Sequence, residues 1–291
     1  MKFIAPNPID DDSTLRLLSE NKALASYNEL SLNLQAILDA YQVYRDVRGN
    51  GSHITAIPLS KTLKANLNAH YNSPPTTLQP ILNQIRTAYG TNVCSMCGGY
   101  GVGTLDHIIP KTPFPEFSIL TLNLVPACPN CNSFRSTNYA NSTGGRVLHP
   151  YYDEILRERL VRAAFRNSDS VSKTIVTLEI IYNGPLLDAV RYHFEHVVWR
   201  DFRQAEVQDI WSGILRKPRG IIPEIPQGII TIAQLKLALS AALSRFDDEF
   251  ETPNNLRSMV ISGAIENNDI CNQLLVHING LENETVQAED I

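Results

Sequence analysis

The densest stretch of the chain reads Cys94-Ser95-Met96-Cys97, then Leu105-Asp106-His107-Ile108-Ile109-Pro110, then Leu122-Asn123-Leu124, and closes on Cys128-Pro129-Asn130-Cys131-Asn132. Two Cys-x-x-Cys pairs bracket a histidine, an aspartate and two asparagines within about forty residues. Cys94, Cys97, Cys128 and Cys131 supply the closed thiolate shell of a structural zinc. A hairpin this small buries too little apolar surface to hold itself, so the metal is expected to supply its folding energy. The two knuckles read as turns, the glycines of 98–103 as a tight hairpin approach, and 105–109 as a strand. Pro129 then opens a helix through Phe134 and Arg135. The glycines are not a phosphate loop, because no Lys-Ser/Thr follows them.

Outward from this stretch the pattern turns helical. Leu15, Leu18, Leu30, Leu34, Ile37, Leu38, Tyr41 and Tyr44 recur at three- and four-residue steps, which predicts helices within 13–48. Ser13 or Asp12 caps the first, and Arg48-Gly49-Asn50-Gly51 ends the second. Residues 52–60 read as loop or short strand, and a helix over 78–89 follows Pro74-Pro75. On the other side, 153–166 reads as an Arg-rich helix and 174–182 as a strand rich in β-branched residues. Helices are predicted at 185–216, 231–251 and 254–276. Residues 217–230, with Pro218, Pro223, Pro226, Gly220 and Gly228, read as a hinge or surface crossover. The last dozen residues are expected to fray.

The formal net charge is −5, yet residues 247–291 hold ten acids and one base, which leaves the other 246 residues at +4. Residues 47–152 carry seven bases against Asp106 and Glu116 alone. Distribution, not the total, decides attraction to phosphate. Apolar residues make up 43% and charged residues 19%, which is globular composition and argues against disorder. No apolar run is long enough for a membrane span and no secretory leader is visible, so a cytoplasmic protein without a membrane partner is expected. Paired cysteines in such a chain suggest metal rather than disulfides, and the lone Cys271 reads as a small buried residue in a helix.

The order Asp106-His107, Asn123, Asn132 between two cysteine pairs resembles the HNH nucleases, over about residues 94–136. The motifs are Leu105-Asp106-His107-Ile108-Ile109-Pro110, Asn123-Leu124-Val125-Pro126-Ala127-Cys128 and Cys131-Asn132-Ser133-Phe134-Arg135. The resemblance implies a β-hairpin and helix around one catalytic ion. In it His107 is the general base, and histidine suits that task because its ordinary pKa lies near neutrality. Asp106 and the amide oxygen of Asn132 would hold a hydrated Mg²⁺ or Mn²⁺. Asn123 would tie the hairpin loop, and Arg135, on the same helical face as Asn132, would grip the scissile phosphate.

The fold expected is therefore α+β and mostly helical, with a small ββα-metal core and its structural zinc embedded between helical flanks. Residues 1–90 form a helical N-terminal region, 91–150 the core, and 151–291 a mainly helical C-terminal region with an acidic tail. The flanks carry a second resemblance. Leu148-His149-Pro150-Tyr151-Tyr152-Asp153 and Val190-Arg191-Tyr192-His193-Phe194 are similar to HNH effectors of bacterial anti-phage systems, of the Septu and retron-associated kinds. It implies a metal-dependent DNA endonuclease working with a partner ATPase or another defence-system subunit. Against it stands a different class, a catalytically idle zinc-stabilised subunit that binds nucleic acid or assembles with others. His149 could pack under the site or contact DNA, with packing the commoner fate. His193 and His196 read as core residues, and Tyr151, Tyr152 and Trp211 as buried anchors rather than base-stacking platforms.

Overall fold

A computed structural model describes residues 1–87, 93–166 and 170–289, the last six as backbone only. Helix dominates these residues, and the strands form two separate two-stranded antiparallel sheets, so the chain is α+β and mostly helical. It divides into two compact units, Met1–Ile155 with Gly184–Val197, and Leu156–Asn183 with Val198–Ile291. Among the described residues no helix is long and apolar enough to cross a membrane.

In the first unit, α1 (Asp11–Glu20) and α2 (Tyr27–Asp46) pack on each other through Leu15, Leu18, Leu30 and Ile37. The cap of α1 is Asp10 rather than Ser13 or Asp12: its carboxylate accepts the Ser13 amide at 2.9 Å, the reach that suits a residue three positions earlier. A turn at Gly51–His53 and a loop lead to α3 (Lys61–Asn72), a helix the sequence reading passed over. Ser60 caps it by accepting the Leu63 amide at 3.0 Å, and Leu63, Leu67 and His70 are its buried stripe. Next comes α4 (Gln79–Thr87), with Leu82 and Ile85 inward; the last two residues of the helix expected over 78–89 lie outside the described residues.

Then β1 (Thr104–His107) pairs antiparallel with β2 (Leu124–Ala127), Asp106 opposite Val125 and His107 opposite Leu124, and α5 (Pro129–Phe134) follows. The apolar core runs unbroken from Leu15, Ile37 and Leu63 into Leu105, Leu124 and Val125. The hairpin is thus braced by the N-terminal helices as well as by its cysteines. Helix α6 (Leu187–His193) returns to this unit.

The second unit corrects several readings. Residues 153–166 are not a helix: after a short turn at Glu154–Arg157 the chain enters β3 (Val161–Arg166). Val161 and Ala163 are buried while Arg162 and Ala164 are not, the two-residue alternation of a strand. Its partner β4 (Ile175–Ile180) pairs with it from Val161–Ile180 to Arg166–Ile175. The helix expected over 185–216 is interrupted after α6 by a wider π-type turn at Phe194–Val198. It resumes as α7 (Asp201–Arg216), because Arg200 is extended at φ −140°.

Within the expected linker lies α8 (Pro218–Ile221), and the Arg219 guanidinium donates to Pro226 and Gly228 carbonyls and to Glu282, which holds this segment in place. After α9 (Ile232–Phe250), the helix expected over 254–276 splits at Asn267 into α10 (Leu256–Glu266) and α11 (Asn268–Glu289). The Asn267 side chain accepts the Ile270 amide at 3.1 Å, so the break caps the next helix. The acidic end is helical through Glu289 rather than frayed from its start. Trp211 and Cys271 are buried, as read.

Helix α10 lies on β3 so closely that a Cβ on Gly263 would stand 2.1 Å from the Ala163 carbonyl oxygen. Gly263→Ala should therefore push helix from strand and cost about 1–3 kcal/mol, read as a lowered urea midpoint. An unchanged midpoint would show that the contact is not close.

Candidate functional site

The cysteine pairs converge as their spacing demands. Each knuckle turns on backbone bonds: the Gly98 amide donates to the Cys94 carbonyl at 2.9 Å, with Gly98 at φ +77°, where a side chain is disfavoured. Cys128 is the N-cap of α5, and its sulfur accepts the Cys131 amide at 3.4 Å, while Cys94 sulfur accepts the Cys128 amide at 3.2 Å. All four sulfurs are buried and lie within 4.8 Å of one another. Cys97 and Cys128 sulfurs are 3.8 Å apart; a zinc with bonds of about 2.3 Å sets tetrahedral edges of about 3.8 Å. Burial pushes the Cys97 thiol up, so a dication is what would make a thiolate of it. Among the described residues this is the one such cluster of His, Cys, Asp or Glu, and it suits a structural metal such as zinc.

Asp106 and His107 are neighbours on a strand and so face opposite ways. Asp106, 4% exposed, turns toward α5 and receives two bonds from Arg135, Nε at 2.9 Å and a terminal nitrogen at 2.8 Å. Arg135 is itself 2% exposed. Its remaining N–H groups go to the carbonyls of His107, Ile108 (3.1 Å) and Asn138 (2.8 Å). All five donors of the guanidinium are used within the protein, which leaves none for a phosphate. The Asp106 charge in turn raises the Arg135 pKa against the effect of burial.

His107 turns the other way. Its Nε2 lies 3.0 Å from the Ser118 carbonyl, which only accepts, so Nε2 carries the proton and Nδ1 the lone pair. Burial lowers its pKa to about 4, so the ring is neutral at pH 7. Asn123, fully buried, spans the loop between the strands: its oxygen accepts the Ile109 amide at 2.7 Å, and its nitrogen donates to the Ile109 and Phe117 carbonyls. Asn132 is exposed on α5, and its side chain makes no hydrogen bond to Asp106 or His107.

Two further histidines brace the site from beneath. His149 Nδ1 accepts the Tyr151 amide at 3.2 Å, so Nε2 donates to the Tyr44 hydroxyl at 3.0 Å; that hydroxyl donates in turn to Asn123 at 3.1 Å. Asp153 holds the His149 amide and pairs with Arg146. His193 Nδ1 accepts the Leu148 amide at 3.1 Å while Nε2 donates to the Met96 carbonyl at 2.6 Å, which ties the first cysteine knuckle to the Leu148-His149-Pro150 segment. Burial lowers both histidines to about 3. The Tyr151 hydroxyl, in a buried side chain, donates to the Leu124 carbonyl at 2.7 Å.

Sequence reasoning missed Tyr71 and Lys111. The Tyr71 ring stands edge-on to His107 with centroids 4.3 Å apart, and Lys111 lies over the same ring at 4.4 Å. Tyr71 sits on the overlooked α3; Lys111 was visible as the one base between Arg86 and Arg135.

Two expectations follow from this arrangement. Purified protein should carry about one zinc per chain. Cys128→Ser should lower that content and open β1–β2 to hydrogen exchange, whereas a zinc-free wild type would refute the thiolate assignment. The second concerns acid. A histidine with a folded pKa below its ordinary 6.5 refuses protons that the unfolded chain accepts. Its contribution is intact above 6.5 and is lost as pH falls toward 4. Between pH 6.5 and 5, each of His107, His149 and His193 should cost about 2 kcal/mol of stability. In urea titrations with zinc in excess, His149→Asn should flatten that decline by about one such share; an unchanged slope would mean His149 is not buried neutral.

No family model matches the chain, and no solved structure matches it. Protein ea31 of Escherichia phage lambda is 37% identical over 76 residues. That match spans 25% of this chain and 26% of the phage protein.

Proposed function

We propose that this chain is an endonuclease of the HNH type that hydrolyses phosphodiester bonds in DNA. One observation carries the reading: Asp106 and His107 end the first strand of a ββα unit whose loop is tied by Asn123 and whose helix begins at a thiolate cluster and presents Asn132. The neutral His107, with its Nδ1 lone pair free of protein donors, is suited to take a proton from an attacking water. Ser118 fixes the tautomer, and Asn123 fixes the loop that bears Ser118.

A catalytic Mg²⁺ or Mn²⁺ would be held by Asp106 and Asn132 and would stabilise charge on the phosphate. The donors fit such an ion loosely, since Asp106 faces α5, the side of β1 away from the His107 ring. Each Asp106 oxygen accepts one bond from Arg135 and keeps a further lone pair, but the guanidinium neutralises the carboxylate. A hydrated ion there gains little net charge attraction, so millimolar concentrations should be needed. The same pairing is the feature that favours a second reading, an idle zinc-stabilised subunit that binds nucleic acid. The role of effector beside a partner ATPase rests on the resemblance of the flanks alone.

Supercoiled plasmid incubated with the zinc-loaded protein and Mg²⁺ or Mn²⁺ should be nicked. His107→Ala should lower the rate by about 10²-fold or more. Asn132→Ala should keep fold and zinc while losing activity. Equal nicking by wild type and His107→Ala would sink the enzyme reading, and DNA binding with no nicking in either metal would favour the idle subunit.

A further inference from the structure

Arg135 has no donor to spare, so the phosphate contact that the sequence assigned to it must be sought elsewhere. Lys111, in the loop after β1, is the cation that remains beside His107. Its ammonium lies 4.4 Å from the Tyr71 ring centroid and donates to the Asn72 side-chain oxygen at 2.6 Å. The same ring packs edge-on against His107, and its hydroxyl is anchored on the Leu105 carbonyl at 2.9 Å. One aromatic side chain thus holds both the imidazole and the lysine. An ammonium has three donors and one is spent on Asn72, so two remain. No carboxylate pairs with Lys111 among the described residues. A free lysine loses rotamer freedom when fixed; here ring and amide restrict the side chain before any ligand arrives.

The stretch of chain that contains Lys111, residues 47–152, carries the same sign. Both acids of residues 47–152 are withdrawn from solvent, Asp106 at 4% and Glu116 at 0% exposure. Arg48 and Lys61 are exposed, and Lys64, Arg86 and Lys111 are half-buried. Arg86 on α4 also acts on the Tyr71 hydroxyl.

We propose that Lys111 is the phosphate-binding cation of this site, its ammonium receiving a non-bridging oxygen of the DNA backbone beside His107. The proposal rests on the endonuclease reading, and binding can be measured apart from cutting. The probe is a fluorescein-labelled DNA duplex, followed by anisotropy over a range of KCl without added Mg²⁺ or Mn²⁺. Lys111→Gln should weaken binding by about 5-fold or more and reduce the slope of log K against log salt by about 1. Lys111→Arg, which keeps the charge, should restore the slope. Equal affinity and slope for wild type and Lys111→Gln would overturn the assignment, even if the plasmid is nicked. A lost slope in Lys111→Gln with no nicking by wild type would support the contact and overturn the endonuclease reading. A wild type that binds no DNA would overturn both.

Discussion

Everything around the hairpin is organised by one buried guanidinium. Arg135 comes from the residue that closes α5, crosses to β1, and meets the Asp106 carboxylate with two parallel bonds. Its other donors take the carbonyls of His107 and Ile108, where β1 ends, and of Asn138, beyond the helix. Two buried charges are costly to desolvate, and such a pair is favourable only when geometry is good and every remaining donor is met. Here each is met. The strand, the helix and the segment after it therefore cannot move independently, and the four-cysteine cluster at the start of the same short helix fixes its other end. A six-residue helix has little stability of its own, and its place is set from both termini.

The second layer of order is a polar relay through the core. His149, Tyr44 and Asn123 form a chain of bonds with a single consistent direction, because the Tyr151 amide fixes the His149 tautomer. Gly49 leaves room for it: a Cβ there would stand 2.4 Å from the His149 ring. The loop that follows the proposed base is thus held by α2 and by the segment after Leu148, not by the hairpin alone. Asp11 adds a third support, accepting the Thr121 amide and hydroxyl at 3.0 and 2.8 Å from the start of α1. Buried networks of this kind are costly when half-made, and this one is met throughout.

What the sequence made legible was local. Cysteine spacing, a proline after Cys128 and the strand read from Leu105 are short-range signals, and hairpin, helix and cysteine cluster stand close to where they pointed. Residues 153–166 misled because their arginines suggested a helical face, while Val161 and Ala163 follow a strand period that only pairing with β4 makes decisive. Helix α3 was overlooked because Leu63 and Leu67 are a sparse stripe in a polar segment. The fate of Arg135 was not readable at all. Helical spacing placed it one turn from Asn132, but whether a cation meets solvent or a carboxylate depends on which strand the helix covers.

Charge shows the same gap between chain and fold. A total of −5 suggests a poor match for a polyanion, and even residues 47–152 contain two acids. Folding removes both from the surface by different means: Asp106 is neutralised by Arg135, and Glu116 is enclosed with one oxygen on the Ile57 amide, where burial raises its pKa. The bases of that stretch undergo no equivalent loss, apart from Arg135 and the Arg146–Asp153 pair. The potential around the site is thus set by which charges the fold leaves in water, and beside His107 that selection leaves Lys111.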